Sequence, residues 1–130
     1  MLDPYKRVEA ETIAWSEGLK TSGNSQNGVY VTKISNGDYI KVRSVDLGKG
    51  AKTFEASVAS AASGGTIEIR IDGKDSQLLG SLNFSATGGD QSWKTLSCKL
   101  EKATGIHDVY FVFKGGKGNL FNFDWWKFGK

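Results

Sequence analysis

The stretch T-I-E-I-R-I-D-G at residues 66–73 sets the fold class. Ile67, Ile69 and Ile71 alternate with Glu68, Arg70 and Asp72, the period of a strand with one face on a core and the other in water. Asp72-Gly73 then supplies a turn signal. Upstream, Asp38 to Val45 alternates in the same way, setting Ile40, Val42 and Ser44 against Tyr39, Lys41 and Arg43. Further strands are expected over Tyr5 to Glu11, Val29 to Ile34, Thr53 to Ala59, Leu78 to Phe84, Ser92 to Leu100, Asp108 to Lys114 and Leu120 to Phe128. Between them fall Gly48-Lys49-Gly50, Ser63-Gly64-Gly65, Asp72-Gly73 and Thr87-Gly88-Gly89, a turn rhythm of about 8 to 12 residues that suits an antiparallel sandwich. No window carries the period of a long amphipathic helix. The expected fold is all-β, a two-sheet antiparallel β-sandwich of jelly-roll type. Gly115-Gly116-Lys117-Gly118 is short enough for a hairpin loop, and with no helix pattern after it it does not read as a phosphate cradle.

Composition narrows the function classes. A chain of 130 residues suits one core, so a single module over residues 1–130 is expected. The net charge of +3, from 17 lysines and arginines against 14 acids, is spread along the chain and argues against nucleic-acid binding. Charged residues make up 24% and no apolar run approaches the ~20 residues of a membrane span, which argues against membrane insertion. No charged-then-apolar leader opens the chain, as expected at the edge of an excised module, and this leaves secretion open. The lone Cys98 excludes an internal disulfide framework and a cysteine metal cluster, and its apolar flanks suit a core position.

Catalytic motifs are sparse. His107 is the one histidine, and its place before Asp108 at the entry to an apolar strand suits a structural strand-end role. No G-x-S-x-G, H-E-x-x-H or G-x-G-x-x-G is present. Glu9 and Glu11 are more informative, because residues two apart on a strand share a face, with Cβ atoms about 7 Å apart. Such a pair can be a solvent-screened surface pair, part of a calcium site built from hard oxygens, or the acid pair of an inverting glycosidase. The run L-F-N-F-D-W-W-K-F at 120–128 is the other unusual stretch. Strict alternation puts Asn122, Asp124, Trp126 and Phe128 on one face and Phe121, Phe123 and Trp125 on the other. Asn122 and Asp124 in so apolar a strand need partners if buried: a ligand, an ion or a hydrogen-bond network.

Taken in order, P-Y-K-R-V-E-A-E (4–11), N-G-D-Y-I-K-V-R-S-V-D-L-G (36–48), G-G-T-I-E-I-R-I-D (64–72), T-G-G (87–89), T-G-I-H-D-V-Y-F-V-F-K-G (104–115) and F-N-F-D-W-W-K-F (121–128) resemble family 6 carbohydrate-binding modules over about residues 4–128. The opening E-A-E-T-I-A-W looks most like modules attached to family 43 arabinofuranosidases and xylosidases. The resemblance implies a noncatalytic, calcium-stabilised jelly roll that tethers a secreted, extracellular glycoside hydrolase to plant cell-wall polysaccharide. Xylan or arabinoxylan leads among the glycans, with other β-glycans in reach. It implies structural calcium on Glu9, Glu11 and Asp124, with backbone carbonyls, and a sugar site in loops at one end of the sandwich, where Asn122 matches a hydroxyl-binding asparagine. The aromatic rings that grip the sugar in the family are not matched: Lys33 and Asp90 stand at those positions. Trp93, Tyr30 or Trp15 is then the candidate replacement ring, with core burial the competing role for Trp93. A second sugar surface, used by some members on the concave sheet face, is matched at Tyr39, beside Lys41, Arg43, Glu68 and Arg70. The alternative is a structural module that packs on an appended catalytic domain and has lost sugar affinity through Lys33 and Asp90. A third class, a glycosidase using Glu9 and Glu11, would release reducing sugar.

Overall fold

The computed structural model describes residues 2–10, 15–17, 20–24, 28–61 and 64–130, apart from the side chains at 15–17, 20–24, 28 and 29. Its strands are β1 (Val8–Glu9), β2 (Trp15–Glu17), β3 (Lys20–Asn24), β4 (Gly28–Thr32), β5 (Tyr39–Asp46), β6 (Thr53–Ser60), β7 (Gly65–Ile71), β8 (Leu78–Phe84), β9 (Gly89–Lys99), β10 (Ile106–Lys114) and β11 (Asn122–Gly129). One sheet has the order β2-β5-β10-β7-β8, and the other β3-β4-β11-β6-β9, with β1 also paired to β11. Every pairing between these strands is antiparallel. The two-sheet β-sandwich expected from alternation is therefore the observed architecture.

The inner faces meet as the apolar rows demand. Ile67, Ile69 and Ile71 of β7, Phe111 and Phe113 of β10, and Ile40 and Val42 of β5 are buried against Phe54, Ala56 and Val58 of β6 and Phe123, Trp126 and Phe128 of β11. Burying each large side chain contributes about 1.5–3 kcal/mol. The rings interlock edge to face across the layers, Phe111 with Trp126 at 4.8 Å between centroids and Phe113 with Phe123 at 6.0 Å.

Sequence alternation failed at two bulges. In β5, His107 faces Val45 but Val109 faces Val42, so Arg43 and Ser44 together oppose Asp108. Ser44 takes a left-handed φ of 51°, its N–H is bonded by Asp108 Oδ1 at 3.0 Å, and Val45 takes the inward place that strict alternation gives to Ser44. In β11, Phe123 faces Val58 and Trp125 faces Ser57, which leaves Asp124 as the extra residue. The phase flips there: Phe121 and Phe123 lie in the core before the bulge, Trp126 and Phe128 after it, and Trp125 is turned to the outer face under the Arg7 guanidinium, 4.0 Å from its ring. The expected grouping of Trp126 and Phe128 opposite Phe123 is thus corrected.

Connections differ in part from expectation. Asp72-Gly73 does join the paired strands β7 and β8, with Asp72, not the glycine, in the left-handed region at φ 70°. The loop after Lys114 is not a hairpin, since β10 and β11 lie in different sheets. Gly64, at φ +78°, lies so close to the Phe84 carbonyl that an added Cβ would stand 2.1 Å from it, which only glycine permits. Strands β2 and β3 were not expected, and the segment expected to run to Glu11 is a strand only over Val8–Glu9 among the described residues. No described helix is long and apolar enough to cross a membrane.

Candidate functional site

One cleft gathers most of the expected sugar-binding positions. Because Val31, Val58 and Phe123 point into the core, their neighbours Tyr30, Thr32, Ala59 and Asn122 face outward on the same sheet, where Asn122 lies opposite Ala59. At the loop end this outer face deepens into a cleft of about 430 Å³ lined by Tyr30, Thr32, Lys33, Ala59, Ala61, Asp90 and residues 119–122. Asp90 reaches it through a large irregularity in β9, which sets residues 90–93 against Ala59 between the pairs Val58–Lys94 and Ser60–Gly89.

Asn122 is the fixed polar group of this cleft, with only 8% of its surface exposed. Its Oδ1 accepts a hydrogen bond from the Thr32 hydroxyl at 2.7 Å, and its Nδ2 donates to the Asp90 carbonyl at 2.8 Å. An amide nitrogen carries two protons, so the orientation is locked while one N–H and one lone pair of Oδ1 remain for another partner. This is the partner set that a buried asparagine in an apolar strand requires.

The aromatic candidates separate. Tyr30 lines the cleft but is itself buried, and its hydroxyl accepts from Gln91 Nε2 at 2.9 Å. Trp93 packs edge-on against Tyr30, 5.2 Å between centroids and 70° between planes, and its indole Nε1 is buried with no acceptor among the described residues. Only Tyr30 of the two lines the cleft, and the pair does not form a parallel slot. Trp15 sits on β2 opposite Lys41, in the other sheet. Lys33 is exposed on a left-handed φ of 58°, and Asp90 is exposed on the opposite strand. Thr32, Gln91 and Asn119 complete the cleft or its wall and were not singled out from sequence; Thr32 could have been found, two residues after Tyr30 on the same face.

The second surface is largely occupied by its own charges. Tyr39 faces outward beside Tyr110, 6.1 Å between centroids, with Lys74 Nζ 5.4 Å from its ring. Arg70 Nε pairs with Glu68 Oε1 at 3.1 Å and Lys41 Nζ with Asp108 Oδ2 at 3.7 Å. At the other end of the sandwich a wider hollow of about 880 Å³ includes Tyr5, Leu47, Lys49, Lys52 and Lys130, but the Tyr5 hydroxyl is held by the Leu47 carbonyl at 2.5 Å and Lys130 Nζ lies 4.8 Å from its ring.

Of the three acids expected around calcium, two are neighbours. Glu9 pairs with Trp125 in the β1–β11 register, and the Asp124 carbonyl accepts from Ala10 N–H at 2.8 Å. Asp124 is 5% exposed at its bulge, and its backbone lies against that of β1, which carries Glu9. Glu11 lies outside the described residues, and among the described residues no three metal-ligating side chains gather. His107 has a structural setting: its Nδ1 lies 2.9 Å from Asp72 Oδ1 and its Nε2 2.8 Å from the Thr104 carbonyl. Those bonds, the Asp72 one first, raise its pKa above the ordinary 6.5. Cys98 is partly buried against the core, and burial pushes its thiol pKa up.

A two-sheet sandwich with a small, polar, outward cleft has the form of a binding module. Comparison with known proteins agrees: residues 9–130 match the model of the carbohydrate binding module family 6. The chain belongs to this family of noncatalytic carbohydrate-binding modules. It is 49% identical over 134 aligned positions to an arabinoxylan arabinofuranohydrolase of Bacillus subtilis, covering 98% of this chain and 26% of that protein. A similar enzyme of Paenibacillus polymyxa is 48% identical, with 21% of its length covered, so the chain spans about a quarter or less of these relatives. Among solved structures, a family 6 module from Clostridium cellulolyticum in complex with xylose superposes with a TM-score of 0.96 at 42% identity, covering 99% of this chain and 100% of that one.

Proposed function

We propose that this module holds an extracellular, secreted glycoside hydrolase on plant cell-wall polysaccharide, xylan or arabinoxylan foremost, through the cleft around Asn122. The observation that carries this reading is the locked Asn122 amide, oriented by Thr32 and the Asp90 carbonyl with one N–H in reserve at the floor of a polar cleft. Pyranose edges are wet and their faces apolar, so such an amide beside the edge of Tyr30 suits hydroxyl recognition. Arabinoxylan enzymes among the relatives and a xylose complex among the similar structures support the choice of glycan. Asn122, Thr32, Tyr30, Lys33 and Asp90 are the contact residues in this reading, Trp93 holds Tyr30 in place, and Tyr39 marks a secondary surface.

Glu9 and Asp124, together with Glu11, would hold structural calcium. Bound there, the ion would neutralise neighbouring carboxylates and pin the first strand to β11.

Affinity electrophoresis through gels containing soluble xylan, arabinoxylan or β-glucan tests the proposal. Retardation by the xylans is expected. Retardation by none of the gels would favour the competing role, a structural module packed on a catalytic domain, which the charges at Lys33 and Asp90 and the edge-to-face Tyr30–Trp93 pair support.

A further inference from the structure

We infer that the Asn122 cleft prefers glycan chains bearing a carboxylate, such as uronic acid substituents, with Lys33 as the residue that selects them. The inference rests on the reading of this cleft as the glycan site and adds the chemical class of the ligand.

Part of the neutral hydrogen-bonding capacity in the cleft is already committed. Asn122 serves Thr32 and the Asp90 carbonyl, and the Tyr30 hydroxyl is held by Gln91. Tyr30 and Trp93 meet edge to face, 70° between planes, and do not present a parallel pair of faces for a sugar ring to stack between. What the cleft offers in addition is charge. Lys33 lines it, is exposed, and pairs with no carboxylate among the described residues, including Asp90 on the far side. An ammonium offers a sugar no flat apolar face, but it is a compact point charge that gains from an anionic partner.

The backbone supports the same assignment. Lys33 is held at a φ of 58°, a left-handed conformation that a non-glycine residue adopts only at a cost. That conformation fixes where the side chain leaves the chain at the end of β4, at the mouth of the cleft. Asp90 on the opposite wall makes the selection directional. Its carboxylate accepts sugar hydroxyls and repels a second acid, so a uronate fits only with its carboxylate toward Lys33.

The test compares binding of the intact chain to glucuronic acid-substituted xylan, to the same polymer after chemical reduction of its carboxyl groups, and to neutral arabinoxylan, by titration calorimetry at low salt. Affinity for the native acidic polymer is expected to exceed that for its reduced form by about 3- to 10-fold, and raising the salt to about 0.3 M should erase most of the difference. Lys33→Gln should bring the ratio of the two affinities close to unity and Lys33→Arg should keep it, with melting temperatures confirming that both variants fold. Equal binding of native and reduced polymer by the unmodified chain would overturn the charge selection and leave the glycan-binding role standing. A preference that survives Lys33→Gln would move the carboxylate to another basic patch and equally overturn it. Binding to none of the polymers would overturn the role of the cleft itself.

Discussion

Replacing Asn122 by alanine should separate recognition from folding at the cleft. The substitution removes the acceptor for the Thr32 hydroxyl and the donor to the Asp90 carbonyl, both in part-buried surroundings. A net cost of about 1 kcal/mol per bond gives about 2 kcal/mol of stability. With an unfolding entropy of about 2.1 cal/mol/K per residue, roughly 0.27 kcal/mol/K for this chain, the melting temperature should fall by about 7 °C. Recognition loses the remaining N–H and the rigidity of the floor, about 1–2 kcal/mol or roughly a 5- to 30-fold weaker Kd for arabinoxylan fragments. Thr32→Val provides the control, because it breaks one of the floor bonds and leaves the amide in place. It should lower stability by about 1 kcal/mol and weaken binding less than Asn122→Ala does. Calorimetric titration and thermal melts on the same samples read both quantities. Unchanged affinity in folded Asn122→Ala would place glycan recognition outside this cleft, with Tyr39→Ala the next variant to measure. An unchanged melt would refute the hydrogen-bonded floor.

Chelation with EDTA should lower the melting temperature, because an ion bound only to the folded chain stabilises it by mass action, and Asp124→Asn or Glu9→Gln should blunt the response; a melt insensitive to chelator would remove the calcium assignment. His107 has its pKa raised chiefly by the Asp72 hydrogen bond, so protonated His107 contributes stability that is fully present below about pH 6.5 and lost as the pH rises through the higher folded value. Melts across pH 5–9 should show that loss, and Asp72→Asn should flatten it; an identical profile in the variant would refute the pairing. Phe123→Ala, at 0% exposure in the core, should cost about 3–5 kcal/mol in denaturant unfolding. Trp125→Ala, on the outer face under Arg7, should cost distinctly less; equal losses would contradict the change of phase at Asp124.

Much of the fold was legible because a half-buried strand writes its own period. The isoleucines of 66–72 point into the core as their alternation requires, and the glycine-marked breaks fall between strands or at their first residue. Resemblance at the level of short blocks added the module class and drew attention to Asn122. Other features left no such mark. Strands β2 and β3 carry no clear alternation: β2 is fixed by pairing with the distant β5, and β3 by pairing with the adjacent β4. The loop at 115–118 has hairpin composition, yet it passes between sheets, because glycine content reports backbone freedom and not the next strand's partner.

By itself, then, the order of residues determined where most of the strands lie, which side chains are apolar enough to fill a sandwich, and that neither a disulfide framework nor a histidine cluster supports it. Only the tertiary structure decided the phase of the site strand. The extra residue at Asp124 reverses which rings face inward, and the irregularity at 90–93 brings Asp90 to Asn122 and Trp93 against Tyr30. A bulge is a property of two paired strands, one carrying more residues than the other over the same length, and a single strand read alone has no partner against which to count.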